Sequence, residues 1–407
     1  MRVLIYCPSY KGHHFVFAKL LIPEIARMGA MVVLATTPAG RKSEEFGTHL
    51  APISAMFEID PSVQEPGESA SYRTASVKEF QAAVTRHKPD DVLAPAGDAL
   101  LPLLGVYSLL GRWRALNETH TQFALIRANF GYPAKTASEK ARFWAKEVAI
   151  SLPLGHSQLL LIDSVAFENI NARRSALAGK IRLVPEPLDD VVPIVRAEAR
   201  QRLGLPKRGR ILGCAGRLDH RKGVDRLFRA FAQADLKSDD RLLLAGEIEP
   251  EIMEILRDGL GSLSRRGRII LLNRYLSDEE LNWAICASDV VAATYLTSHC
   301  APSGIVNKAA VIGRPVLASR FGWSDFMVPE FGLGTLTAVG NSEVLACDIA
   351  EALERSSGFV QSPRAARLRE FLSPTNFAAS WTAGIAKRLG QSTGELKSWD
   401  WVLHGPA

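Results

Sequence analysis

The chain has 407 residues, a formal charge of +6, and is 47% hydrophobic and 23% charged. That length exceeds one ordinary core and predicts two domains of roughly 180–200 residues each. No run approaches the roughly 18 uninterrupted apolar residues of a membrane helix, and the basic residues are spread rather than gathered on one nucleic-acid-binding face. Mild basicity suits polyanionic small ligands or an anionic membrane surface. The five cysteines include no CxxC pair, which argues against a disulfide framework or a structural zinc and for a reducing cytoplasm. Met1–Pro8 starts directly in a strand-like run, without the length or cleavage site of a signal peptide.

Short apolar runs alternate with helix-length segments throughout, the α/β pattern of parallel sheets with crossover helices. Val3–Cys7, Met31–Thr36, Asp91–Pro95, Phe123–Arg127, Leu159–Asp163 and Ile181–Val184 read as strands covered on both faces. His14–Arg27 reads as a helix with Phe15, Ala18, Leu21, Ile22 and Ile25 on one face, stopped by Gly29. Ser54–Ser76 is rich in Pro, Glu, Ser and Gly, lacks periodicity, and reads as an exposed, mobile loop. Trp113–His120 and Arg142–Val148 read as helices carrying aromatic and basic residues. They suit ordinary packing with charges in water, or peripheral docking on anionic lipid.

Pro185-Glu186-Pro187 interrupts the pattern and marks a domain boundary. The predicted division is residues 1–185, residues 186–375, and a C-terminal helix and tail, 376–407, that cross back to the first domain. The second domain reads as strands at Ile211–Ala215, Leu242–Ala245, Ile269–Leu272, Val290–Thr294, Val316–Ser319 and Leu333–Leu336. Ser373–Leu389 reads as a capped helix. Trp399 and Trp401 lie in a tail too short to bury them by itself, so they are expected to pack on the first domain. Two doubly wound domains joined by a hinge would bind ligands in a cleft at the carboxyl ends of their sheets.

Three loops are placed to serve such a cleft. In Pro8–His14, Gly12, His13 and His14 open a helix and can hold an anion or a sugar hydroxyl; histidines there serve equally as caps or core residues. Gly216-Arg217-Leu218-Asp219-His220-Arg221-Lys222-Gly223 follows an apolar run and opens an amphipathic helix. Strand, cationic glycine loop and helix form a phosphate-binding arrangement, although by itself the loop also reads as an ordinary turn with solvated charges. The third loop runs from Tyr295 to Val306, where Pro302-Ser303-Gly304 opens a helix able to seat a phosphate, or simply begins one.

Arg217 and Lys222 in GRLDHRKG, the Ser303-Gly304-Ile305 turn, and Gly313-Arg314-Pro315-Val316-Leu317-Ala318-Ser319 together resemble the donor half of a GT-B glycosyltransferase of family 4, the glycosyl transferases group 1. Arg182–Asp189, Leu244-Ala245-Gly246-Glu247 and Ala287–Val291 fit the same order, over most of Arg182–Gly334. The resemblance implies two Rossmann-like domains facing each other across a cleft, and a UDP- or GDP-sugar as donor substrate, with no other cofactor. Arg217 and Lys222 would meet the diphosphate and stabilise the leaving group without a metal. The amides of Ser303, Gly304 and Ile305 would add to this, and Tyr275 and Leu276 would fall beside the base. Gly12 and His14 would lie near the transferred sugar, with His13 among the catalytic residues. Retention of anomeric configuration and a role in surface polysaccharide or glycoconjugate synthesis also follow from the resemblance. Acceptor choice would fall to Ser54–Ser76 and Ala128–Tyr132 in the first domain.

One departure stands out. Where the family commonly carries two glutamates, this chain has Cys300 and Lys308. An ammonium cannot accept hydrogen bonds from ribose hydroxyls, although Lys308 could meet a phosphate. Tyr295 and His299 fit a variant branch lacking the pair. The competing expectation is a non-catalytic GT-B protein, a subunit or scaffold that binds nucleotide without transfer. A nucleotide-sugar epimerase would need a carboxylate pair that the motifs do not supply.

Overall fold

The computed structural model describes residues 1–10, 14–64, 72–95, 97–110, 119–126, 128–152, 156–188, 191–265, 267–296 and 301–405. The chain divides into two compact units: Met1–Pro187 with Ser373–Lys397, and Leu188–Leu372 with Ser398–Ala407.

The first unit contains β1 (Arg2–Tyr6), β2 (Met31–Ala35), β3 (Glu58–Ile59), β4 (Asp91–Ala94), β5 (His120–Leu125), β6 (Ser157–Leu161) and β7 (Ile181–Leu183). Their order in the sheet is β3-β2-β1-β4-β5-β6-β7, parallel throughout. Parallel neighbours need crossovers, which is why helix-length segments separate the runs. Helices on both faces leave Val3 to Tyr6 buried at every residue.

The second unit contains β8 (Ile211–Ala215), β9 (Arg241–Ala245), β10 (Ile269–Leu272), β11 (Val290–Ala293), β12 (Val316–Ser319) and β13 (Gly334–Thr337). They form a second parallel sheet, β10-β9-β8-β11-β12-β13.

The structure differs from the sequence expectations in places with clear causes. Ser54–Ser76 is not a continuous loop: a short 3-10 turn covers Ala51–Met56, β3 follows, and the helix Tyr72–His87 has begun before Ser76. Ser76 is buried, and its carbonyl accepts a hydrogen bond from the Tyr6 hydroxyl at 3.0 Å. β3 has no apolar signature in the sequence because it is a two-residue edge strand with both side chains exposed. β5 starts at His120 rather than Phe123, its opening masked by polar Thr121 and Gln122, both buried. Of the predicted helix Trp113–His120, residues 113–118 lie outside the described residues and His120 belongs to β5. Arg142–Val148 lies within the helix Ala137–Ser151, where Trp144 and Val148 are exposed one turn apart. No described helix is long and apolar enough to cross a membrane.

The helix Pro374–Arg388, capped by Ser373, belongs to the first unit. Its Phe377, Trp381 and Ile385 join Phe15, Phe17, Leu21 and Ile25 in one buried cluster. Arg388 pairs with buried Asp91, and Gln122 Nε2 donates to the Trp381 carbonyl at 2.9 Å. Trp399 departs from its expected position on the first domain. Its ring lies 5.7 Å from that of Phe331 and 5.5 Å from that of Phe371, and Arg367 Nε donates to the Val402 carbonyl at 2.9 Å. Two phenylalanines of the second unit thus supply the apolar surface that the tail lacks.

Asp163 is a buried acid in the first unit, capping the helix Ser164–Ala172. It accepts hydrogen bonds from the Ala166 amide at 3.0 Å and the Tyr132 hydroxyl at 2.9 Å. Burial pushes its carboxyl up to about 7, outweighing these hydrogen bonds, which favour the charged form. A raised pKa stabilises the fold below the unfolded value and loses that contribution as pH rises through about 7. Asp163→Asn keeps a side-chain cap and removes the titration. It should therefore flatten the decline in stability between about pH 5 and pH 8 by about 2 kcal/mol, on the scale of 1.36 kcal/mol per pKa unit. Urea titrations of both proteins at the two pH values measure the difference.

Candidate functional site

The loop after β8 is fixed by backbone contacts that only glycine permits. Gly216 has φ +89°, and its amide donates to the Ala245 carbonyl at 2.9 Å. A Cβ on Gly246 would lie 2.1 Å from the Gly216 carbonyl oxygen. The turns leaving β8 and β9 therefore pack backbone against backbone. Leu218 continues this contact, its amide donating to Glu247 O at 2.8 Å and its carbonyl accepting from the Glu249 amide at 3.1 Å. Arg217, between these anchors, has a side chain 67% exposed and pairs with Glu249 at 3.0 Å.

Asp219 then caps the short turn His220–Lys222, its Oδ1 accepting from the Lys222 amide at 3.2 Å. The turn is tied to the end of β11. Thr294 Oγ1 donates to Lys222 O at 3.1 Å, and the Leu296 amide donates to Arg221 O at 2.9 Å. Gly223, at φ +60°, passes so close to Thr294 that a Cβ would meet its carbonyl oxygen at 2.7 Å.

These restraints turn Lys222 inward. It is 7% exposed and donates through Nζ to the Ala215 carbonyl. Among the described residues no carboxylate forms an ion pair with it. Burial pulls its pKa below the ordinary lysine value; Arg221 acts in the same direction, and the charge of Asp219 acts against it. The position a Gly216 Cβ would occupy lies 3.0 Å from Lys222 Nζ and 3.6 Å from Ile305 Cδ1. A glycine at 216 thus leaves room for the ammonium beside the start of the helix Gly304–Ile312.

That helix is capped by buried Ser303, whose Oγ accepts from the Val306 amide at 3.4 Å and lies 3.0 Å from the Tyr295 hydroxyl. The Arg221 guanidinium sits 5.7 Å from the centre of the Tyr295 ring. The first amides of a helix have no intrahelical acceptor and attract anions, and here those amides begin at Gly304, next to a buried cation.

Lys222, Ile305, Ser303, Gly304 and Tyr295 thus come from loops after β8 and β11 into one region of the second unit. Arg217 lies on the same loop but points to solvent. Tyr275 is exposed and Leu276 buried in the loop after β10, which is held by Arg274 pairing with Glu280 at 2.6 Å. Lys308 is turned toward the neighbouring helix Asp278–Ala287, with Nζ 3.3 Å from Asn282 Oδ1 and 3.6 Å from Asp278 Oδ1. His14 opens the first helix of the first unit, and its carbonyl accepts from the Cys7 thiol at 3.5 Å. Gly12, His13, His299 and Cys300 lie outside the described residues. Glu249, Thr294, Asn282 and Asp278 were not anticipated, because they act from 26 to 72 positions away in sequence. Gly246 stood in a recognised motif without its close contact being evident. No group of three or more His, Cys, Asp or Glu among the described residues is placed to hold a metal.

Comparison with known proteins adds to this geometry. Residues 209–355, a little over a third of the chain, match the family described as Glycosyl transferases group 1. No curated protein matches the chain in sequence. Among solved structures, Anabaena HepE in complex with UDP and glucose is similar with a TM-score of 0.65 at 19% identity, over 95% of this chain and 100% of that one. Sucrose-phosphate synthase from Thermosynechococcus elongatus gives 0.65 at 18%, over 96% and 100%. A putative UDP-N-acetylglucosamine 2-epimerase from Listeria monocytogenes gives 0.60 at 14%, over 97% and 98%. At these identities the likeness speaks for the fold. The chain thus has the two-sheet GT-B fold of these structures, and its residues 209–355 are similar to the glycosyl transferases group 1 family.

Proposed function

We propose that this protein is a retaining glycosyltransferase. It moves a sugar from a nucleoside-diphosphate donor to a glycan, lipid-linked or small-molecule acceptor in surface polysaccharide or glycoconjugate synthesis. The observation that carries this reading is Lys222, a buried lysine with no carboxylate ion-paired to it among the described residues, beside the first turn of the helix Gly304–Ile312. A buried unpaired cation costs free energy unless an anion meets it. A diphosphate is such an anion, and its negative charge grows as the glycosidic bond breaks. Lys222 and the amides at Gly304 and Ile305 would meet that charge as preorganised groups, with little reorganisation at the moment of reaction. Arg217 joins them by leaving Glu249, a partly exposed pair worth only about 0–1 kcal/mol.

Purified protein incubated with a panel of UDP- and GDP-sugars should hydrolyse or transfer at least one of them, with the anomer read by NMR. A chain that neither binds nor turns over any of them contradicts the reading.

Lys308 favours a second reading. It stands where the family has a carboxylate, and Asn282 and Asp278 engage its ammonium, so this position supplies no acceptor for a ribose hydroxyl. A non-catalytic GT-B subunit would bind nucleotide in the same panel and turn over none, and Arg217→Ala would leave its biological role intact.

A further inference from the structure

The amino-terminal edge of the second sheet carries a cavity of about 490 Å³ that the donor reading does not use. Its walls come from the helix Arg196–Arg202, from the segments leading into β8, β9 and β11, and from the chain after the helix Ser342–Arg355. Six cations line it: Arg196, Arg200, Lys207, Arg208, Arg210 and Lys237.

The carboxylates beside them are largely committed. Buried Asp240 takes Arg210 through two bonds, at 2.8 and 2.7 Å, and the Lys237 amide at 2.9 Å. Buried Asp289 takes Arg200 at 2.7 Å, the Ile211 amide at 2.7 Å, and Arg196. Glu354 takes Arg210 at 2.5 Å and lies 3.7 Å from Lys237. Exposed Asp239 is the remaining carboxylate of the lining. Among the described residues the side chains of Lys207 and Arg208 form no ion pair.

Arg314 adds to the imbalance. Its Nε is buried without a hydrogen-bond partner. Burial pulls the Arg314 guanidinium below its ordinary value and nearby Arg196 lowers it further, while Asp289 acts against both. Arg196 and Arg200 thus share the Asp289 carboxylate, Arg314 adds a third guanidinium nearby with no ion pair among the described residues, and two exposed cations stand at the rim. Excess positive charge focused in a concavity raises the local concentration of anions. Guanidinium forks favour phosphate oxygens, which they can engage through two parallel hydrogen bonds.

We propose that this edge binds a compact polyanion of the phosphate class, seated among Arg196, Lys207, Arg208 and Lys237. The site lies at the opposite end of β8 from Lys222, about 16 Å away at roughly 3.3 Å per residue. It is therefore distinct from the proposed diphosphate position. The phosphate could belong to a free metabolite or to an anionic lipid headgroup.

The test uses the full chain carrying Lys222→Ala with Arg217→Ala, which removes both side-chain cations of the proposed donor site. Inorganic pyrophosphate, followed by calorimetry at low ionic strength, should still bind. Adding Lys207→Glu with Arg208→Glu should weaken that binding at least about tenfold, because two attractive contacts become repulsive. Both residues are exposed, so thermal unfolding should not move. In parallel, unmodified protein is sedimented with phosphatidylglycerol vesicles and with phosphatidylcholine vesicles. Co-sedimentation with the anionic vesicles alone, lost on the double charge reversal, assigns a lipid headgroup as the source. Pyrophosphate binding without vesicle binding assigns a free phosphate compound. The proposal is overturned if the double reversal changes neither readout, or if neither probe binds.

Discussion

Lys222→Ala should lower kcat for the nucleotide-sugar donor by about 10²–10³-fold, the usual cost of removing one preorganised group that meets developing charge. The loss should appear in kcat more than in KM, because the charge on the leaving diphosphate grows toward the transition state. Stability should hold or rise, since the change removes a buried amine that no carboxylate among the described residues pairs with. Lys222→Arg should not rescue turnover. Nζ already lies 3.0 Å from where a Gly216 Cβ would sit, and a guanidinium needs more room. Steady-state kinetics beside thermal unfolding separate the two effects. A variant with unaltered kcat and KM would remove Lys222 from the reaction.

Trp381→Ala should destabilise the first unit by about 3–5 kcal/mol, the range for deleting a large buried aromatic. Trp381 is fully buried, and its ring meets Phe17 edge-on at 5.6 Å and Phe377 at 6.1 Å. Losing it opens a cavity where a helix from the end of the chain joins the first sheet's helices. Trp381→Phe should cost less. It keeps an aromatic ring and removes an indole N–H that has no hydrogen-bond partner among the described residues. Urea unfolding of the two variants gives the comparison, and equal stability of wild type and Trp381→Ala would contradict the packing described.

How much of this was legible in the sequence depended on where each restraint originates. β8 and β10 are short, continuous apolar runs bounded by polar or glycine residues, and β12 starts directly after Pro315, so their ends could be read directly. β3 could not, because a two-residue exposed edge strand has no apolar signature. Gly216, Lys222 and Gly223 were legible as a cationic glycine loop, but burial of Lys222 depends on Thr294 and Leu296, some 70 positions downstream. Arg217 looked equivalent to Lys222 in sequence; in the structure Glu249 holds it outward. From sequence Lys308 could meet a phosphate, and its engagement by Asn282 and Asp278 arises only when two helices pack together. Trp399 illustrates the same limit: its need for a partner was evident, but Phe331 and Phe371 were not.

The most direct measurement is a crystal structure of the protein with UDP or GDP bound. The diphosphate should lie within hydrogen-bonding distance of Lys222 Nζ, against the first turn of the helix Gly304–Ile312, with Arg217 drawn away from Glu249. A nucleotide whose phosphates lie away from Lys222, whether elsewhere in the second unit or at the Arg196–Arg208 edge alone, would contradict the proposed donor site.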